Sequence, residues 1–413
     1  MSIRIAILLG VLFISAHPAS GAVPRFKAQE IDKTLSIGYG VVLSDINGDS
    51  KPDILVVDKD RVIWFENPTW KLHTIIGAKT KLDNVCIAAA DLDGDGLPEI
   101  ALGGNWQKMT EPAALYWLSR GKTLDEEWTL HELPYENPTL HRMRFADLDG
   151  DGRPELIVAP LHGMGATAKK NFAEAGPKLG YYKVPKDLAG GKWEFQLIDD
   201  TKHVMHNILP IDFYDKKSTG LLTASYEGVF HYARVGDSKW LGSQLGEGNQ
   251  SDPTKSRGSS EVRVGQIQAK APAAPFKFIA TIEPFHGNQV VAYTPAADPK
   301  ETLMLRTVID DQLKSGHALG VADLDGDGTD EIVMGSRDPL AGVAGAPPKK
   351  FGLNIYQLGE ARDKLKWEKI VLDEGGMACE DLVIGDLNGD GRPDIVAVGR
   401  GTKNVKIYWN EGK

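Results

Sequence analysis

Cysteine, long apolar runs and helical patterning are all scarce in this sequence. Two cysteines, Cys86 and Cys379, occur in 413 residues, which excludes a disulfide-rich scaffold. We predict that both are buried free thiols rather than a bridge. Beyond the amino terminus, no apolar run approaches the roughly 20 residues of a transmembrane helix, so no membrane partner is expected. The net charge of -10 argues against a nucleic-acid partner, which would select a basic surface.

The amino terminus has the pattern of a cleaved secretory signal. Arg4 precedes an apolar run over residues 5–16, and small residues follow at 20–22. This order is typical of a signal peptide. We therefore expect a signal at residues 1–22, a single-domain mature protein at residues 23–413, and export to the periplasm or the extracellular space.

One acidic motif occurs five times. The strings DLDGDGLPE at 91–99 and DLDGDGRPE at 147–155 alternate carboxylates and place glycine at position six, as calcium loops do. The flanking apolar runs are short and indicate strands rather than helices. We predict up to five structural Ca²⁺ ions, bound by Asp45, Asn47, Asp49, Asp53, Asp91, Asp93, Asp95, Glu99, Asp147, Asp149, Asp151, Glu155, Asp323, Asp325, Asp327, Glu331, Asp386, Asn388, Asp390 and Asp394.

A strand pattern repeats seven times along the chain. An apolar strand is followed by one that ends in an aromatic residue, as at Phe65 and Trp117, and a further strand often opens with tryptophan. These aromatic residues are expected to be core. The last repeat lacks its outer strand, and residues 26–32 have that pattern without a repeat of their own. The sequence predicts an all-β, seven-bladed propeller of four-stranded blades, closed by the amino-terminal strand.

Two blades depart from the acidic pattern. Residues 212–215 in the fourth blade and 268–275 in the fifth replace the loop, so neither is expected to hold calcium. Residues 241–260 are predicted to form a long connection between these blades.

The repeats resemble the FG-GAP or VCBS repeats of integrin-α-like propellers. More narrowly, IATIEPFHG at 279–287, APLHG at 159–163 and ASYEG at 224–228 are similar to the propeller domain of aldos-2-ulose dehydratases. The pair His141 and His162 also resembles that of seven-bladed polysaccharide lyases such as the ulvan lyases. These resemblances imply elimination of water or a glycosyl group from a sugar. The cupin domains that follow the propeller in the dehydratase have no counterpart here, so activity housed in them is not expected.

Propeller geometry predicts where the chemistry lies. If the acidic loops join the first two strands of each blade, the start of the first strand and the end of the second meet on the opposite face. We expect a funnel mouth there, built by Tyr39, His141, His206, Glu261, His317 and Glu380 from first strands, and by His162, Tyr226, Glu227, His286, Arg337, Asp338 and Arg400 from second-strand ends.

Such a histidine ring suits β-elimination on a keto-sugar or uronic-acid glycoside, because imidazole serves as base or acid near neutral pH. The lyase resemblance makes His141 and His162 the first candidates, with Tyr226 as a second acid and with His206, His286 and His317 as further catalytic candidates. Arg337 or Arg400 would stabilise developing negative charge. The other mouth residues would bind substrate.

Two alternatives stay open. The histidines could instead hold one divalent transition metal through His141, His206 and either His286 or His317. The protein could also be a non-catalytic, calcium-stabilised propeller that binds a glycan or a protein through the same mouth.

Overall fold

The computed structural model describes residues 23–106, 109–214, 219–236, 239–252, 254–268, 274–298, 300–337, 351–359 and 365–413. The predicted signal at 1–22 and the candidate Asp338 lie outside these ranges.

The described chain forms seven four-stranded antiparallel sheets. An amino-terminal strand, β1 (Arg25–Asp32), precedes the first blade, which contains β2 (Gly38–Ser44), β3 (Asp53–Asp58), β4 (Arg61–Glu66) and β5 (Lys71–Ile76). The second blade contains β6 (Cys86–Ala90), β7 (Glu99–Gly104), β8 (Ala114–Ser119) and β9 (Thr129–Leu133). The third contains β10 (Leu140–Ala146), β11 (Glu155–Pro160), β12 (Leu179–Lys183) and β13 (Glu194–Asp199).

The remaining blades follow the same order. The fourth contains β14 (Asn207–Ile211), β15 (Gly220–Ser225), β16 (Gly228–Val235) and β17 (Lys239–Gly246). The fifth contains β18 (Glu261–Ile267), β19 (Phe276–Glu283), β20 (Gln289–Thr294) and β21 (Leu305–Asp310). The sixth contains β22 (Gly316–Ala322), β23 (Glu331–Ser336), β24 (Gly352–Leu358) and β25 (Trp367–Glu374), and the seventh contains β26 (Cys379–Gly385), β27 (Asp394–Gly399) and β28 (Val405–Gly412).

The amino-terminal strand lies in the seventh sheet. Its order is β26, β27, β28 and β1, and β1 pairs antiparallel with β28 through partners such as Ala28 and Tyr408. The first strand of the seventh blade also contacts β2 of the first blade. The predicted seven-bladed all-β fold is confirmed. In the described residues, helical structure is limited to one 3₁₀ turn at Ala168–Lys170, and no helix has the length and apolar character needed to cross a membrane.

The core lies between neighbouring blades. The second strands of six blades are buried at every residue, because both of their faces pack against other blades. Tyr356 and Tyr408, which lie within third strands, are 1% exposed. Each fully buried Val, Leu or Ile contributes about 1.5–3 kcal/mol, so these interfaces hold the ring together. The aromatic residues are therefore core, as predicted.

One connection is shorter than the sequence suggested. The fourth strand of the fourth blade runs to Gly246, because Leu241 and its neighbours pair with β16. The long connection therefore begins at residue 247 rather than 241. Cys86 and Cys379 are free and buried, which confirms the prediction of free thiols.

Candidate functional site

Four of the predicted mouth residues lie at irregularities of first strands. Tyr39, His141, His317 and Glu380 each fall at a register shift, where the partner strand has no matching residue. Such an extra residue bends the strand and re-aims its side chain. His206 directly precedes β14, and its backbone N–H donates to Ala224 O at 2.9 Å. Local backbone irregularity thus presents these side chains at one end of the first strands.

Three imidazoles are locked in one tautomer by backbone carbonyls of the following blade. His141 Nδ1 lies 2.9 Å from His206 O, His206 Nδ1 lies 3.0 Å from Ser260 O, and His317 Nδ1 lies 2.5 Å from Glu380 O. Because a carbonyl oxygen can only accept, each Nδ1 carries the proton. Each Nε2 therefore keeps its lone pair when the ring is neutral.

These three histidines converge. Ring nitrogens of His141, His206 and His317 lie within 4.8 Å of one another, and the ring centroids of His141 and His317 lie 4.3 and 5.0 Å from that of His206. All three side chains are buried. Burial lowers the pKa of each ring, and neighbouring arginines add to the effect. Three neutral imidazoles with oriented lone pairs fit a divalent transition metal.

His286 has a different hydrogen-bonding role. Its Nδ1 lies 3.0 Å from Arg337 Nη2, which can only donate. In the neutral ring the proton is therefore on Nε2, which lies 2.9 Å from His206 Nε2. His286 is thus a proton donor to the cluster, and of the two histidines proposed as the third metal ligand, His317 fits and His286 does not.

Two carboxylates flank the cluster. Glu380 accepts from Arg337 at 3.1 and 3.2 Å and from Arg400 at 3.0 Å. Glu261 lies 2.9 Å from His206 Nδ1 and 3.5 Å from Arg142 Nη2. Burial by itself would raise the pKa of Glu261, but His206 and Arg142 outweigh it and hold that pKa below its usual value. Glu261 is therefore a buried anion, and both carboxylates hold neighbouring arginines in place beside the histidines.

His141 and His162, the first candidates for base and acid, are not in direct contact. In the described residues, no hydrogen bond or ring contact links His141 with His162. The ring of His141 packs near Trp106, with centroids 5.2 Å apart, whereas the ring of His162 packs on Phe172 at 4.3 Å. Thr139 Oγ1 lies 3.4 Å from His162 Nδ1. Burial lowers the pKa of His162 to about 4, so this imidazole is neutral near pH 7.

Aromatic side chains form a wall beside the histidines. Phe285 stacks on His286 with centroids 3.9 Å apart and meets Tyr226 edge-on at 5.9 Å. Trp106 and Phe172 belong to the same apolar cluster as Phe285 and Tyr226. Tyr226 is buried, whereas Trp106, Phe172 and Phe285 are only partly buried. Burial raises the pKa of Tyr226, which keeps the phenol protonated. We call Trp106, Phe172, Tyr226 and Phe285 the aromatic wall.

The other predicted mouth residues have their own partners. Tyr39 donates its hydroxyl proton to Asp83 at 2.8 Å, and the Arg400 guanidinium lies 5.8 Å from the Tyr39 ring. Glu227 lies 2.9 Å from His203 Nδ1 and 3.9 Å from Arg257. These contacts engage Tyr39 and Glu227 outside the histidine cluster.

Several contributors were missed by the sequence analysis. Arg142 directly follows His141, and Phe285 directly precedes His286. Comparing the residues on either side of each predicted position across the blades would have found them. His203, Asp83 and Trp106 lie in connections, where the repeat gives no equivalent position. No sequence signal marks these three.

The acidic loops share one internal geometry. In the second blade, Asp91 accepts from the backbone N–H of Gly94 and Gly96 at 2.7 and 2.9 Å, and Glu99 accepts from Leu92 N at 2.9 Å. Carboxylates at positions one, three and nine approach within 4.8 Å of one another in three loops: Asp91, Asp93 and Glu99; Asp147, Asp149 and Glu155; Asp323, Asp325 and Glu331. The loops of the first and seventh blades have an asparagine oxygen, from Asn47 or Asn388, at position three.

The ninth-position acids are the buried members of these loops. Glu331 is 1% exposed, and Asp53 and Asp394 are fully buried. Burial, reinforced by Asp325, raises the pKa of Glu331 to about 9. A buried carboxylate among other carboxylates is unfavourable without a cation, so these loops fit a hard divalent ion.

Two family models match the chain. The model of the aldos-2-ulose dehydratase β-propeller domain matches residues 113–296, and that of the FG-GAP-like repeat matches residues 45–102. The predicted resemblances to the FG-GAP repeat and to the aldos-2-ulose dehydratase propeller are confirmed. The aldos-2-ulose dehydratase of Phanerodontia chrysosporium is 24% identical over 362 residues, which cover 81% of this chain and 37% of the relative. The chain thus spans little more than a third of that relative's length.

Solved structures show the same fold. A lectin of Agrocybe aegerita that recognises non-reducing terminal N-acetylglucosamine superposes with a TM-score of 0.52 at 13% identity, over 90% of this chain and 91% of the lectin. BBS1N, in a complex with ARL6DN, gives a TM-score of 0.52 at 13% identity over 94% of this chain and 96% of BBS1N. At these identities the likeness concerns the fold alone.

Proposed function

We propose that this protein is an exported carbohydrate lyase or dehydratase that acts by β-elimination on a keto-sugar or uronic-acid glycoside. The observation that carries the proposal is the convergence of His141, His206 and His317, whose ring nitrogens lie within 4.8 Å of one another while each Nδ1 bonds to a backbone carbonyl. The similarity to the propeller of a sugar dehydratase supports a carbohydrate substrate. The aromatic wall supports it too, because sugar rings pack their apolar faces on aromatic side chains.

We assign His141, His206 and His317 as ligands of one divalent transition metal. Such an ion, when bound, polarises a carbonyl or carboxylate oxygen and so acidifies the neighbouring C–H bond. The protein surrounds this position with neutral, buried imidazoles and with the ion pairs of Glu380, which fix the cluster. His286 holds its proton on Nε2 and donates it to the lone pair of His206 Nε2. If His206 bound a metal through this lone pair, the His286 N–H would be free for a substrate oxygen.

The elimination itself needs a base and an acid outside the ligand set. A base removes the proton from the carbon next to the carbonyl, that electron pair forms a C=C bond, and the C–O bond at the next carbon breaks. The departing oxygen takes a proton from the acid. We assign His162, neutral because burial lowers its pKa to about 4, as the base and Tyr226, whose pKa burial raises, as the acid.

Turnover of candidate sugars tests this assignment. The purified, metal-loaded protein is incubated with keto-glycosides and uronic-acid glycosides, and the ultraviolet absorbance of the unsaturated product is followed. Each of His162→Asn and Tyr226→Phe is expected to lower the rate by about 10²–10⁴-fold, since one proton transfer contributes that much.

The matched control is Tyr214→Phe, an exposed tyrosine of the fourth blade that is not among the mouth residues. It should leave the rate unchanged. Saturable glycan binding without any unsaturated product would instead identify a non-catalytic binding propeller. Unchanged rates in both site variants would reject the assigned base and acid.

We also propose that the five acidic loops bind structural Ca²⁺. Replacing Glu331 by glutamine tests one loop. In chelator, E331Q is expected to be as stable as the parent or more stable. Glu331, whose pKa is about 9 in the folded protein, must take up a proton on folding near pH 7, whereas glutamine is neutral in both states and keeps an acceptor for Leu324 N. With calcium it should be less stable by about 1–3 kcal/mol, because a charged ligand is lost. Urea unfolding in both conditions measures the difference.

Asp330, the acid next to Glu331 in the chain, provides a control for this calcium-dependent effect on stability. Asp330 accepts from the backbone N–H of Gln266 at 2.6 Å and occupies a loop position outside the predicted ligands. D330N should be affected equally with and without calcium. The same stability change for E331Q in both conditions would contradict calcium binding by this loop.

A further inference from the structure

The space enclosed by the seven first strands, here called the central channel, has an excess of positive charge. The first strands are β2, β6, β10, β14, β18, β22 and β26. Their charged residues, apart from histidine, are Arg142, Arg144, Glu261, Arg263, Glu380 and Asp381. Arg337 and Arg400 join them through Glu380. Five arginines thus accompany three carboxylates, an excess of two positive charges in a chain whose net charge is -10.

Two of the arginines lie beyond the histidines, toward the acidic loops. Arg144 follows His141 by three residues, and Arg263 follows Glu261 by two. Arg144 Nη1 donates to Met143 O at 2.7 Å, and Arg263 Nη1 donates to Val262 O at 2.8 Å. Each guanidinium has five N–H donors, of which these bonds use one.

The nearby carboxylates make their short contacts with other groups, although the charges of Asp381 and Glu261 also act on Arg144. Arg144 has no ion pair with a carboxylate among the described residues, and the nearest oxygen of Glu261 lies 3.9 Å from Arg263. Glu261 contacts His206 and Arg142. Asp381 accepts from the backbone N–H of Val41 at 3.1 Å. The intervening first strand, β14, contributes no acid.

The positive charges also act on one another. Burial, followed by the charges of Arg263 and Arg142, lowers the pKa of Arg144 to about 10. The ends of the first strands are only partly buried here, at residues 42–44, 144–146 and 383–385, so solvent reaches this part of the channel. Arginines that repel one another in a partly solvated, narrow space form a favourable environment for an anion.

We propose that Arg144 and Arg263, assisted by Arg142, form an oxyanion-binding site in the central channel. The planar guanidinium pairs with the two oxygens of a sulfate, phosphate or carboxylate group. Two sources supply such a group: a free inorganic anion, or the acidic group of a sugar. The proposal does not depend on the elimination chemistry, although Arg142 also contacts Glu261 beside the histidine cluster.

Thermal unfolding in sodium sulfate, compared with sodium chloride at equal ionic strength, tests this site. The melting temperature of the parent protein should rise saturably with sulfate, by roughly 2–4 °C at high occupancy. Arg144→Gln and Arg263→Gln should each abolish the saturable part, while the general salting effect of sulfate remains. Arg25→Gln, on the exposed outer strand β1, is the matched control and should behave like the parent.

Further measurements separate the outcomes. Saturable stabilisation by sodium glucuronate without any by sulfate would identify an acidic sugar as the source. Crystals of the parent protein soaked in selenate should show an anomalous peak between Arg144 and Arg263, a result that needs no variant to fold. If neither anion stabilises the parent saturably and no peak lies at these arginines, the proposal is wrong.

Discussion

Replacing His206 by alanine is expected to remove about one equivalent of divalent transition metal from the protein and to lower sugar elimination by roughly 100-fold or more. His206 is fully buried and contributes one of the three converging ring nitrogens. Loss of groups that merely orient metal ligands already reduces affinity or activity by about 10–100-fold. Loss of a ligand should exceed that. Elemental analysis, metal titration against a competing chelator and the elimination assay measure the two effects.

His131→Ala is the matched histidine control. His131 stacks on Trp117 with centroids 4.0 Å apart, in an outer strand of the second blade. Its removal should change neither metal content nor turnover. Unchanged metal content in H206A would disprove the ligand assignment. If the parent protein binds no transition metal and H206A still loses activity, the result would support metal-free acid–base chemistry.

Removal of calcium is expected to have the largest effect on stability. An ion that binds only the folded state adds RT ln(1 + [L]/Kd), or about 2.7 kcal/mol per site at 100 times the Kd. Several such sites acting together should raise the melting temperature by roughly 10 °C or more. Differential scanning calorimetry with and without a calcium-selective chelator measures this change.

Magnesium gives the control for that experiment. Chelation in excess Mg²⁺ keeps the ionic strength and the divalent charge constant, and Mg²⁺ fits these flexible oxygen-rich loops poorly because it demands octahedral geometry. The melting temperature should stay low until calcium is restored. A melting curve that is the same in all three conditions would refute the calcium assignment for the loops.

Much of the fold could be predicted because the blades are repeats. Each acidic loop fixed the boundary between the first and second strands of a blade, and each aromatic residue marked a third strand buried between blades, as Tyr356 and Tyr408 are. Repetition also gave equivalent positions. Because Tyr39, His141, His317 and Glu380 occupy the same place in their blades, their common side of the ring followed from spacing alone.

The error at residue 241 has a local cause. The segment that follows Trp240 is rich in glycine, serine and glutamine, which favours a loop. Pairing of Leu241 with Ala233 in the adjacent strand overrides that preference as far as Gly246. Strand propensity depends on neighbouring strands, which the sequence does not reveal.

The choice among the histidines required the tertiary structure. Spacing gave His286 and His317 equal claims as a third metal ligand, and the lyase resemblance favoured His141 with His162. The decisive contacts come from other blades: Glu380 O accepts from His317 Nδ1, and Arg337 donates to His286 Nδ1.

The sequence by itself determined the blade repeat, the acidic loops and the set of side chains at one end of the first strands, because these depend on spacing within a blade. Only the tertiary structure decided which imidazoles meet, which nitrogen of each carries the proton, and that Arg144 and Arg263 share one channel. Those features depend on distances and hydrogen bonds between blades, which are set when the sheets pack around a common axis and the irregular first strands turn their side chains toward it.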